Sequence, residues 1–131
     1  MFKKILILLF LLPTFVRAEW IEVTKVPNNK IRFFAEIDTK EFKDKKVRMW
    51  VMVDWKSNQY AGEKKYKSTM NQFQYDCENL KHRIISTVFY TNNLRQGDVI
   101  YSAEFENTSE WRNIRLNTPE NKLWKVACES N

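Results

Sequence analysis

The sequence predicts an α+β, mostly β domain: about six antiparallel strands with a C-terminal helix packed on one face and tied there by a disulfide. Three observations carry this expectation. Apolar and polar residues alternate with period two through several segments. Near the end, the spacing switches to a helical one behind a Thr-Pro start signal. Two cysteines, Cys77 and Cys128, place one thiol beyond a strand and the other in that helix.

Ahead of the domain, residues 1–18 read as a signal peptide. Lys3 and Lys4 form a positive start, Ile5 to Leu12 are uninterruptedly apolar, and Pro13 ends the run. Val16 and Ala18 occupy the small-residue positions of a cleavage site, so cutting after Ala18 leaves Glu19 at the N-terminus. The apolar run is shorter than the roughly 20 residues a membrane span needs, so no integral membrane segment is expected after cleavage. No cysteine lies near the cut to accept a lipid, which points to a periplasmic or secreted protein. Residues 19–131 then form a single domain. Losing Lys3, Lys4 and Arg17 lowers the formal charge from +6 to +3, an ordinary value that gives no reason to expect nucleic acid.

Short strands are expected over residues 20–23 and 66–70. In the first long one, Ile31, Phe33, Ala35 and Ile37 alternate with Arg32, Phe34 and Glu36. Val47, Met49, Val51 and Val53 alternate with Arg48, Trp50, Met52 and Asp54 in the next. Ile84, Ser86, Val88 and Tyr90 interleave with Arg83, Ile85, Thr87 and Phe89, and Val99 to Phe105 follow a turn at Gln96-Gly97-Asp98. Pro27-Asn28-Asn29 and residues 58–62 read as further turns. The second face, with Phe34, Trp50, Met52, Ile85 and Phe89, is itself apolar enough to need a cover. The C-terminal helix is the candidate: Thr118 caps it, Pro119 starts it, and Leu123/Ala127 and Trp124/Cys128 fall four apart.

An oxidising compartment favours pairing of the two cysteines. The competing metal reading has only His82 and two distant cysteines as ligands, a poor set. Catalysis lacks a constellation too. His82 sits between Lys81 and Arg83, which is expected to lower its pKa and leave it a solvated strand residue, and no second histidine exists to serve a nucleophile. The expectation is a non-enzyme without cofactor.

Two surface features remain. Between Lys40 and Lys67, nine basic residues face four acidic ones. Such a region can attract an acidic partner or simply keep strand edges soluble. Among the aromatics, Trp50, Trp111 and Trp124 are expected in the core, and Trp55 and Tyr60 near a loop are expected to be exposed. The candidate ligand surface is therefore Lys43, Lys45, Lys46, Trp55, Tyr60, Lys64 and Lys65.

Three stretches, VRMWVMVDW (47–55), YKSTMNQFQYDC (66–77) and EWRNIRLNTPENKLWKVAC (110–128), together resemble the bacterial surface-adhesin protein E family. Their order matters as much as their wording: a Trp strand, Tyr-x-Ser, Asp-Cys, a Gly-turned hairpin, Trp, then a helix ending in Cys. The resemblance implies a six-stranded antiparallel sheet whose C-terminal helix is held on the concave face by Cys77–Cys128. It further implies a homodimer and an adhesin's partners, host matrix or serum proteins such as vitronectin, laminin and plasminogen. The lipid-acceptor cysteine of the lipoprotein adhesin is absent here. The functional expectation is thus an exported, adhesin-like binding module for a host protein or another acidic partner. The alternative is a soluble periplasmic envelope accessory protein that binds a bacterial protein or polymer.

Overall fold

The computed structural model describes residues 19–129; the signal peptide read over residues 1–18 lies outside them. Strands β1 (Trp20–Lys25), β2 (Ile31–Lys43), β3 (Lys46–Ala61), β4 (Lys64–Asp76), β5 (Lys81–Tyr90) and β6 (Val99–Glu104) form an antiparallel sheet in sequence order. A seventh, two-residue strand, β7 (Arg112–Asn113), continues the sheet beside Lys81 and His82. Helix α1 (Pro119–Cys128) closes the chain. The fold class is the one the sequence predicts.

Turn chemistry sets the hairpins. Asp44 and Lys45 both take positive φ between β2 and β3, as the commonest two-residue hairpin loop requires. The expected turn over residues 58–62 is corrected to a much tighter one. Gln59, Tyr60 and Ala61 pair with Tyr66, Lys65 and Lys64, and only Gly62, at φ +63°, and Glu63 reverse the chain. Asn58 and Gln59 sit instead in a two-stranded ribbon, where polar side chains lose little by facing water.

The helix covers the opposite face from the one expected. Ala35, Val47, Met49, Val51 and Tyr75 are buried against Leu123, Ala127 and Ile114, with Trp124 and Cys128 alongside. Beneath the helix this face is apolar. The Phe34 and Met52 face also carries Glu36, Asp54 and Ser68, all buried, and needs polar cover. The loop after β5 provides it: Leu94 N–H and Asn93 Nδ2 donate to Asp54 Oδ1 at 2.8 and 3.1 Å, and Arg95 N–H donates to Ser68 Oγ at 2.9 Å. Gly97, at φ +80°, closes that loop where a Cβ would strike the Thr91 hydroxyl.

The alternation read in β5 is also corrected. Phe73 pairs with Ile84 but Gln72 with Ser86, so Ile85 is a bulge residue. Ile84, Thr87 and Phe89 therefore lie on the helix-bearing face, beyond the helix itself.

Three contacts pin the C-terminal half of the helix. The Cys77–Cys128 bridge spans a Cα separation of 5.6 Å. Trp124 Nε1 donates to the Asp76 carbonyl oxygen, and Lys40 Nζ donates to the carbonyls of Val126 and Glu129 at the helix end. At its start, Asn121 N–H donates to Thr118 Oγ1.

Candidate binding surfaces

The lysines singled out from the sequence do not form one patch. Lys43, Lys45 and Lys46 stand at the β2–β3 turn, while Lys64 and Lys65 stand at the far end of the 16-residue strand β3. At about 3.3 Å per residue the two groups are roughly 40–50 Å apart. Two of the near group are compensated: Lys45 Nζ lies 2.7 Å from Glu78 Oε1, and Lys46 pairs across the ladder with Asp76, while Lys43 stands across from Lys46. Burial pushes the Asp76 carboxyl up, yet hydrogen bonds from Asn79 and Glu78 together with Lys46 hold it below the usual range.

The far group sits on a projecting arm. β2 pairs with β3 only as far as Trp55, and β5 pairs with β4 only from Ser68 onward. Residues 56–67 thus extend as a ribbon with no strand on either side. It carries Lys56, Lys64, Lys65 and Lys67 against the single acid Glu63. Tyr60, 66% exposed, stands directly across the ladder from Lys65. None of the four lysines takes part in an ion pair among the described residues. Lys30 and Lys56 also line a hollow with Trp55 at the arm's root.

Trp55 is half-buried there and turns toward the sheet. It begins a row of four rings on four successive strands: Trp55 on β3, Tyr66 on β4, Phe89 on β5 and Tyr101 on β6. Neighbouring centroids are 5.6, 4.4 and 5.2 Å apart. This row walls one side of an open trough of about 480 Å³ on the part of the helix-bearing face that the helix leaves bare. Phe73, Ile84 and Phe105 line it as well. Thr69, Asn71 and Thr87, all buried, also line it; Thr87 Oγ1 donates to Asn71 Oδ1 at 2.6 Å, and Asn71 Nδ2 donates to Thr69 Oγ1 at 2.9 Å. Sequence reading missed this trough. Only Phe89 and Tyr101 are direct cross-strand partners. Tyr66 pairs with Gln59 and Phe89 with Thr69, so the row forms through the bulge at Ile85 and the irregular pairing at the arm's root, which alternation along each strand does not signal.

Two further expectations are corrected. Trp111 is not a core residue: it is 37% exposed, with the Arg83 guanidinium 5.6 Å from its ring centroid. His82 is not solvated: it is half-buried and stacks on Phe73 at 5.2 Å with planes 10° apart. Burial pushes its pKa down, with Arg112 adding to this and Glu120 opposing; Lys81 and Arg83 are not the cause. Among the described residues no group of three or more potential metal ligands occurs, and no helix is long and apolar enough to cross a membrane.

A twisted antiparallel sheet with a stapled helix, a basic arm and an open aromatic face describes a domain built to present surfaces. The chain belongs to the surface-adhesin protein E family, whose model matches residues 20–129. Membership implies an exported, non-enzymatic binding protein with a surface-adhesin role. The fold is similar to solved structures of Haemophilus influenzae protein E. One is 17% identical over 88% of each chain with a TM-score of 0.60, and a second crystal form gives 17%, 88% of this chain, 91% of that one, and 0.61. A structure of protein E from non-typeable Haemophilus influenzae is 18% identical over 88% of this chain and 76% of its own, at 0.55. No curated protein matches the chain.

Proposed function

We propose that the exported domain is an adhesin-like binding module that meets an acidic partner, a host extracellular-matrix or serum protein, through the β3–β4 arm. The observation that carries this is the uncompensated charge of the arm: four lysines, one glutamate and an exposed Tyr60, projecting past both neighbouring strands. Basic groups steer encounter, and a tyrosine beside them supplies an anchor. In this reading Tyr60, Lys64 and Lys65, of the seven residues read from the sequence, belong to the binding surface, with Trp55 at its root. Lys43, Lys45 and Lys46 are assigned no part in it. A homodimer belongs to the same proposal, with the outer strands β1 and β6 as its available edges.

The test is saturable binding of the mature protein to immobilised vitronectin, together with fractionation of the producing cells. Binding with protein at the surface or in the medium supports the proposal. Retention in periplasmic extracts without binding supports the alternative, an envelope accessory protein.

A further inference from the structure

The aromatic trough and the lysine hollow at the arm's root are two parts of one depression, since Trp55 lines both. The trough demands nothing polar of an occupant. Its lining carries no charged residue, and its three buried polar side chains bond to one another, Thr87 to Asn71 and Asn71 to Thr69. It also lies on the face of a sheet, where backbone N–H and C=O groups turn to the neighbouring strands rather than outward. A peptide laid there would bury amide groups without partners, whereas a hydrocarbon chain strands none.

The hollow has the opposite chemistry. Lys30 and Lys56 line it with Trp55, Ser57 and Gln59, and no acidic residue does. The backbone keeps the two lysines side by side: Lys56 N–H donates to the Lys30 carbonyl oxygen at 3.0 Å. Neither ammonium takes part in an ion pair among the described residues. The other end of the trough, past Phe73, Ile84 and Phe105, suits an anion less well, because Glu110 lines it alongside Arg83 and Arg112.

From this we infer that the depression binds a long-chain fatty acid, its carboxylate between Lys30 and Lys56 and its acyl chain along the ring row from Trp55 to Tyr101. The row crosses four strands, which at about 4.8 Å per spacing is about 14 Å. One acyl chain fills half of a bilayer core of about 30 Å, or about 15 Å. The row is therefore as long as one tail. This site goes beyond the adhesin reading and does not rest on it, since Lys64 and Lys65 have no part in it.

The experiment titrates the mature protein with laurate below its micellar concentration, read by calorimetry and by the fluorescence of the native tryptophans. Dodecyltrimethylammonium supplies the same chain on a cationic head. Saturable laurate binding is expected, at least about ten-fold tighter than that of the cationic amphiphile. Lys30→Glu/Lys56→Glu should weaken laurate about ten-fold. Tyr101→Ala, which removes a 46% exposed ring from the outer strand β6, should weaken it several-fold, with circular dichroism unchanged in both variants. Arg112→Glu should bind laurate like wild type. No saturable binding of laurate overturns the inference. So does equal affinity for the cationic amphiphile, or a laurate affinity that either the lysine variant or Tyr101→Ala leaves unmoved. A larger loss in Arg112→Glu, an acidic Leu-rich octapeptide that seats in place of laurate, or self-association that excludes laurate overturns it equally.

Discussion

The indole N–H of Trp124 donates to the carbonyl oxygen of Asp76 at 2.8 Å, one residue before Cys77. The helix is therefore pinned twice at one point, by a hydrogen bond and by a covalent bridge four residues along the same stripe. Closing a 51-residue separation constrains the unfolded chain by about 4 kcal/mol on the chain-entropy account. Cys77→Ser/Cys128→Ser should lower the unfolding free energy in urea by about 3–4 kcal/mol. Hydrogen exchange should quicken in residues 119–128 before it does in β3 and β4. Equal loss of protection in helix and sheet would mean that they unfold as one unit without the bridge.

A second prediction concerns the loop over the polar face. Asp54→Ala removes the acceptor of Leu94 N–H and one of the two acceptors of the Asn93 amide, which keeps the Trp55 carbonyl, and should destabilise by about 1–3 kcal/mol. Gly97→Ala forces a side chain into a left-handed position already crowded by Thr91 and Asn92 and should cost at least about 1–2 kcal/mol. Thermal unfolding measures both. Wild-type stability in either variant would show that the loop is not bound to the sheet.

His82 gives a pH signature. Burial lowers its folded pKa below the ordinary histidine value, so the unfolded chain binds the proton more readily. Stability should be full above the unfolded value of about 6.5 and decline as pH falls from there toward the folded pKa. His82→Phe, which keeps the stack on Phe73, should flatten that decline between about pH 7 and 5. Urea unfolding at several pH values makes the comparison. An unaltered slope in the variant would assign the decline to other groups.

The strands, the Thr118-capped helix and the cysteine pair were legible because each rests on local signals: alternation, a cap with Pro119 behind it, and two thiols in an exported chain. Which face the helix covers was not, because both faces of β3 are apolar, and buried Asp54 and Ser68 find their partners in a distant loop. The lysines were legible as a run, but β3 sends Lys45 and Lys64 to opposite ends, and Glu78 neutralises the former from a turn far along the chain. The trough was illegible for a similar reason. The bulge at Ile85 brings Ile84 and Thr87 onto one face only once β4 and β5 are paired.

The arm's role is decided by charge reversal at the two ends of β3. Vitronectin binding should be measured at low and physiological salt for wild type, for Lys64→Glu/Lys65→Glu on the arm, and for Lys43→Glu/Lys45→Glu/Lys46→Glu at the compensated turn. Exposed charges are screened beyond about 8 Å at physiological ionic strength, so wild-type association should slow as salt rises. The arm variant should associate at least about ten-fold more slowly at low salt and lose most of its salt dependence. The turn variant should bind like wild type. Wild-type rates in the arm variant, or the larger loss in the turn variant, would contradict the account.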